Sequence, residues 1–243
     1  MSAQSIPTSA ARFRRALLAW YRKAARDLPW RRTRDPYAVL VSEFMLQQTQ
    51  VSRVVDYYGT FLDRYPTIRH LARARASQVR ESWEGLGYYR RAANLHRLAR
   101  AVVAEHDGII PPDPADLRKL PGVGAYTAGA VATFAYERRA AAVDTNVARV
   151  LARVFKGRSP AQASLPHLTR LAEALQPRRG RTAWAFNQAL MELGALVCAA
   201  RAPKCAICPV RSLCRWSGKA GAAPATKSAA ARRRAAVPPP GRR

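Results

Sequence analysis

The stretch from Leu120 to Arg149, LPGVGAYTAGAVATFAYERRAAAVDTNVAR, constrains the fold of this chain most. A Pro-Gly-x-Gly turn separates two helical patterns. A lone acid, Asp144, then opens a third helix, in which Val147, Val150, Leu151 and Val154 recur at helical spacing. Gly122 and Gly124 free the backbone for conformations that a side chain forbids and for close approach to a ligand. The helix beginning near Ala125 directs unpaired N–H groups into the turn, so the turn either joins packed helices or receives a phosphate. Asp144 reads as an N-cap whose neighbouring N–H groups keep its carboxylate ionised.

No β-strand pattern competes elsewhere, so the expected fold is all-α. The 243 residues suffice for one large or two modest domains. No run of 18 apolar residues occurs, and the N-terminus carries Arg12, Arg14 and Arg15 before the short run ALLAW. Neither a membrane span nor a signal peptide is indicated, and a cytoplasmic location is expected. The formal charge of +27 points to a polyanionic partner with salt-dependent binding. Only six of the 42 basic residues are Lys, and an Ala-, Arg- and Pro-rich composition also reflects a GC-rich genome. Residues 218–243 contain no acid and no aromatic residue and are expected to form a disordered basic tail; without them the charge is still +20.

All four cysteines, Cys198, Cys205, Cys208 and Cys214, lie in one C-x6-C-x2-C-x5-C run. In a cytosolic chain this clustering favours metal over disulfides. Zinc sites of four cysteines usually use two separated C-x2-C knuckles, so iron–sulfur ligation fits this spacing better.

Residues 10–25 form an amphipathic helix pattern with Phe13, Leu17, Trp20 and Tyr21 on one face. Prolines then place Trp30, Arg31 and Arg32 on a loop, where an aromatic beside arginines stacks on a base or covers a core. From Ala38 to Phe61 the pattern is helical, and Glu43 sits between Val39-Leu40-Val41 and Phe44-Met45-Leu46. Such a carboxylate either snorkels to water or is buried with a raised pKa. In Trp83–Leu95, Gly85 and Gly87 break one helix and Arg90 begins the next. Leu86, Tyr88 and Tyr89 are left at a corner beside Arg90 and Arg91, which suits either helix packing or wedging into a base stack.

Three motifs, SEFMLQQTQV, WEGLGYYRRAANL and LPGVG with Asp144, occur here in that order before the cysteine run. Together they resemble the MutY-type adenine glycosylases, a branch of the helix-hairpin-helix DNA glycosylases related to endonuclease III. The resemblance covers residues 12–216 and implies two lobes with a DNA groove between them. One is a six-helix barrel over 28–142; the other combines 10–27 with 143–217 and ends in a [4Fe-4S] loop held by the four cysteines. It also implies a monomer associated with the nucleoid that acts on double-stranded DNA with mismatched or damaged pairs. Members usually continue into a further C-terminal domain that helps recognise 8-oxoguanine; this chain is expected to lack it.

The same resemblance assigns roles. Glu43 is the acid that protonates the adenine, Asp144 the carboxylate that offsets the sugar cation, and Asn146 its neighbour. Tyr126 stands where lyase members carry a Schiff-base Lys, which implies a monofunctional glycosylase. Trp30, Arg31 and Gln188 belong to the base pocket, and Leu46 and Val51 to the residues of the base pocket or DNA contact. Gln48, Thr49, Leu86 and Tyr88 meet the opened duplex, and Gly122, Val123 and Gly124 form the hairpin turn. The implied reaction is hydrolytic removal of adenine opposite 8-oxoguanine or guanine. Removal of thymine from T·G pairs and non-catalytic DNA binding by an iron–sulfur protein are the alternatives.

Overall fold

The computed structural model describes residues 9–216; the expected basic tail, 218–243, lies outside the described residues. Among these residues there is no strand, and no helix is long and apolar enough to cross a membrane. The helices are α1 (Ala10–Ala24), α2 (Pro36–Leu46), α3 (Val51–Arg64), α4 (Ile68–Arg73), α5 (Ala76–Glu81), α6 (Arg90–Glu105), α7 (Pro114–Leu117), α8 (Ala125–Phe134), α9 (Thr145–Leu151), α10 (Leu165–Leu175) and α11 (Gly180–Leu196). A π-helical turn, Ala152–Lys156, continues α9.

Two hydrophobic cores organise these helices. In the first, α2 is buried on all sides from Tyr37 to Met45, as its near-continuous apolar sequence requires. Around it pack Phe61, Trp83, Leu95 and Leu98, with the Phe61 and Trp83 rings edge to face at 5.6 Å. The second core joins α1 to α9, α10 and α11, which are remote in sequence. Phe13 sits at its centre, edge-on to Phe155 at 5.0 Å and Phe186 at 6.2 Å. Trp20, expected on the packed face of α1, is only partly buried. Trp184 and Met191 of α11 touch both cores.

The pattern over Ala38–Phe61 is two helices rather than one. Residues 47–50 break it, and Gln48 has φ 57°. No Gly or Pro marks the break; a tertiary contact makes it. Arg91 donates to the carbonyls of Phe44 (3.0 Å), Met45 (2.6 Å) and Gln47 at the end of α2, and to Thr49 Oγ1 at 2.9 Å. A cation on carbonyls that have no intrahelical partner stabilises a helix end here.

The same guanidinium donates to the carbonyls of Leu86 (3.1 Å) and Gly87 (3.0 Å), so it joins two of the motifs. Arg91 is 6% exposed and is therefore a structural clamp rather than a surface cation. Leu86 is likewise buried, so the exposed corner consists of Tyr88, Tyr89 and Arg90.

Candidate active site

A cleft of about 690 Å³ receives side chains from both cores. That volume falls in the range of small-molecule sites. Of the residues assigned above, Trp30, Arg31, Glu43, Leu46, Gln48, Thr49, Val51, Tyr126, Asp144, Asn146 and Gln188 line it. Leu86, Tyr88, Gly122, Val123 and Gly124 do not.

Glu43, near the C-terminal end of α2, is 4% exposed, and its Oε2 has no hydrogen-bond partner. Burial pushes its pKa from 4.5 up to about 7; a hydrogen bond with Tyr126 opposes the rise and the charge of Asp144 adds to it. Tyr126 stands in the first turn of α8. Its own pKa is driven well above 10 by burial, then by the charges of Glu43 and Asp144, so it stays a phenol able to donate.

Asp144 caps α9, accepting from the Val147 N–H at 2.7 Å through one oxygen and from Asn146 Nδ2 at 2.9 Å through the other. These donors favour the ionised form, as the N-cap reading expects. Burial outweighs them and raises the pKa above 3.8. Asn146 in turn accepts from Arg149 Nη2 at 2.6 Å, and Arg149 Nε donates to the carbonyl of Cys198 at 2.8 Å. A polar chain thus runs from Asp144 to the cysteine loop. Gly194 lets α11 lie against it, since a Cβ there would stand 2.6 Å from Asn146 Cβ.

The cleft also holds a feature that the sequence reading missed. Glu192 of α11 is fully buried and accepts from Arg26 Nη2 at 2.7 Å and Arg31 Nη2 at 3.0 Å. Burial alone would raise its pKa; the hydrogen bonds of Arg26 and Arg31 outweigh this and hold it at about 2. Arg31 Nε also donates to Gln188 Oε1 at 2.9 Å, which leaves the amide NH2 of Gln188 as a donor. An acid one turn beyond Gln188, in the apolar run from Ala189 to Leu196, was the available signal.

Of the non-glycine residues assigned above, Gln48 at φ 57° and Tyr88 at φ 47° hold left-handed backbone angles, and Tyr88 is 60% exposed. Such conformations cost about 1–3 kcal/mol each and persist where surroundings enforce them. In the hairpin, Gly122 has φ 76° and packs on Asn94, where a Cβ would meet Asn94 Cβ at 2.8 Å. Gly124 has an ordinary φ of −88° as N-cap of α8, and a Cβ there would meet nothing within 4 Å, so its role is open space rather than backbone freedom.

The four cysteines line one cavity with Arg153, Val154, Val210 and Trp216. Burial pushes the Cys208 thiol up to about 11. Among the described residues no group of three or more His, Cys, Asp or Glu side chains is arranged to hold a metal ion.

A family model described as HhH-GPD superfamily base excision DNA repair protein matches residues 41–174. The chain belongs to this family. The adenine DNA glycosylase of Mycolicibacterium smegmatis is 50% identical over 201 residues, which are 82% of this chain and 68% of that protein. The Mycobacterium tuberculosis H37Rv protein of the same name is 48% identical over 202 residues, 82% of this chain and 66% of that one. The human one is 47% identical over 215 residues, 84% of this chain and 39% of that one. The chain thus spans two thirds or less of most of these relatives. Among solved structures, a thermostable thymine-DNA glycosylase superposes with a TM-score of 0.81 at 34% identity, covering 87% of this chain and 97% of that one. Endonuclease III trapped covalently on DNA gives 0.73 at 25%, covering 88% and 99%.

Proposed function

We propose that this HhH-GPD protein is a monofunctional glycosylase that binds double-stranded DNA between two lobes and removes adenine from mispairs with 8-oxoguanine or guanine. The observation that carries the reading is one cleft holding two carboxyl groups in different states, Glu43 buried with an unpartnered oxygen and Asp144 held by helix N–H groups. Hydrolysis breaks the bond between the sugar C1′ and the base nitrogen, and water adds its oxygen to C1′. The departing base needs a proton and the sugar, cationic in the transition state, needs a nearby negative charge. Glu43, raised to about 7, supplies the proton to the ring. Asp144, with Asn146 fixing its second oxygen, supplies the charge. Tyr126 orients Glu43, and the NH2 of Gln188, turned by Arg31, meets the base edge. Tyr126 has no amine for a Schiff base, so the backbone is left uncut.

The target base leaves the duplex at a cost of a few kcal/mol, lowest at a mispair. Tyr88 and Gln48, strained and exposed, fill the gap. The cysteine cavity offers four soft sulfur donors with no oxygen ligand among them, and its remaining walls are apolar or cationic. This donor set fits a [4Fe-4S] cluster held by Cys198, Cys205, Cys208 and Cys214, which would supply structure to the loop and not chemistry to the cleft.

The relatives named adenine DNA glycosylase support adenine as the base. The 0.81 superposition on a thymine-DNA glycosylase favours a second reading, thymine removal from T·G pairs. Single-turnover excision on A·8-oxoguanine, A·G and T·G duplexes decides between them. Adenine release is expected from the first two and is abolished by Glu43→Gln and by Asp144→Asn. Activity on T·G alone refutes the adenine assignment, and near wild-type rates in either variant refute that residue's role.

A further inference from the structure

A second groove, of about 770 Å³, runs between α5 and α6 and shares no residue with the cleft. Arg80, Arg90, Arg97 and Arg100 line it, and no carboxylate does. Among the described residues none of the four guanidiniums is in a salt bridge. Arg80 lies over the Tyr89 ring at 5.1 Å. His96 also lines the groove, 8% exposed, with a buried Nε2 that has no hydrogen-bond partner. Four exposed guanidiniums along one groove with no carboxylate among them make a concentrated positive field that favours an anion with several acceptors.

We propose that this groove is a second DNA-backbone site that tracks phosphates flanking the opened base pair. The proposal rests on the reading of the Tyr88 corner as facing DNA, since the groove begins at the adjoining residues Tyr89 and Arg90. From Arg90 to Arg100 the helix rises roughly 15 Å, enough to reach more than one phosphate of a strand. Guanidinium forks match phosphate oxygens. An acidic protein partner fits less well, because a stable protein interface needs an apolar centre and the Tyr89 ring in the groove lies under Arg80.

Binding of the full chain to undamaged duplex as a function of salt tests this with two variants. R97A combined with R100A removes exposed side chains, and Ala93→Glu places a carboxylate on the same exposed stripe. The double variant is expected to bind more weakly at low salt, with the slope of log affinity against log salt reduced by about 2. Its gap from wild type then closes roughly tenfold between about 50 and 200 mM salt. A93E is expected to weaken low-salt binding with an unchanged unfolding midpoint. Single-turnover excision at saturating protein is expected to stay at the wild-type rate.

Unchanged slope and affinity in both variants overturn the proposal, as does slower excision at saturation. Unchanged DNA binding together with weaker capture of polyglutamate assigns the groove to an acidic protein and overturns it too. Because binding is read on undamaged duplex, this result is separate from which base is excised. An altered slope without adenine release refutes only the reading of the cleft.

Discussion

Replacing Glu43 by Gln is expected to stabilise the protein at neutral and alkaline pH while abolishing excision. Glu43 is 4% exposed with one orphaned oxygen, and burial moves its pKa from 4.5 to about 7. A carboxyl group whose pKa is raised on folding holds its proton more tightly in the native than in the unfolded state. Stability therefore falls as pH rises between about 4.5 and 7, and the loss is complete above that window. The distance between the two values is worth about 3 kcal/mol, at about 1.36 kcal/mol per pH unit.

Gln keeps the shape, is neutral at every pH and escapes the loss. The stability advantage of the variant should grow by roughly 1.5 kcal/mol between pH 5.5 and 7 and level off above pH 8. Urea unfolding of both proteins across this range measures it. The wild-type excision rate should in parallel fall toward about tenfold per pH unit above 7, as the acid form is lost. Unfolding curves whose difference does not change with pH would refute the assignment of Glu43 as a buried, neutral acid.

Two further outcomes are expected. Iron and acid-labile sulfide should be present at about four each per chain, a [4Fe-4S] stoichiometry, and be lost in Cys208→Ser; stoichiometric zinc without iron refutes the cluster. Glu192→Gln leaves Arg26 and Arg31 around a neutral partner and should cost about 3–5 kcal/mol in urea unfolding, with a raised KM because Arg31 no longer fixes Gln188. A cost under about 1 kcal/mol would place the two arginines in solvent.

Features governed by local chemistry were legible in the sequence. Gly85 and Gly87 at φ 88° and 71° end one helical pattern, and α6 starts at Arg90. Asp144 before a helical pattern is an N-cap. Features made by distant partners were not. The break at Gln47–Gln50 has no Gly or Pro and is set by Arg91, over 40 residues away. Arg91 itself reads as one more surface arginine until its seven carbonyl and hydroxyl acceptors are in place. The hairpin glycines look alike in sequence, yet only Gly122 needs a positive φ.

The cleft shows the same limit in two acids. Glu43 lies in SEFML and Glu192 in MELGAL, and helical periodicity describes both as lone carboxylates among apolar neighbours. Both are buried, and for both burial alone raises the pKa. The outcome differs because the chain delivers Arg26 and Arg31 to Glu192 from more than 150 residues away, while Glu43 receives a phenol and the like charge of Asp144. One acid is held as an anion in the wall of the cleft; the other is pushed toward its protonated form. Apolar context in a sequence therefore identifies a carboxylate worth attention, but the neighbours that folding brings to it decide which protonation state it holds.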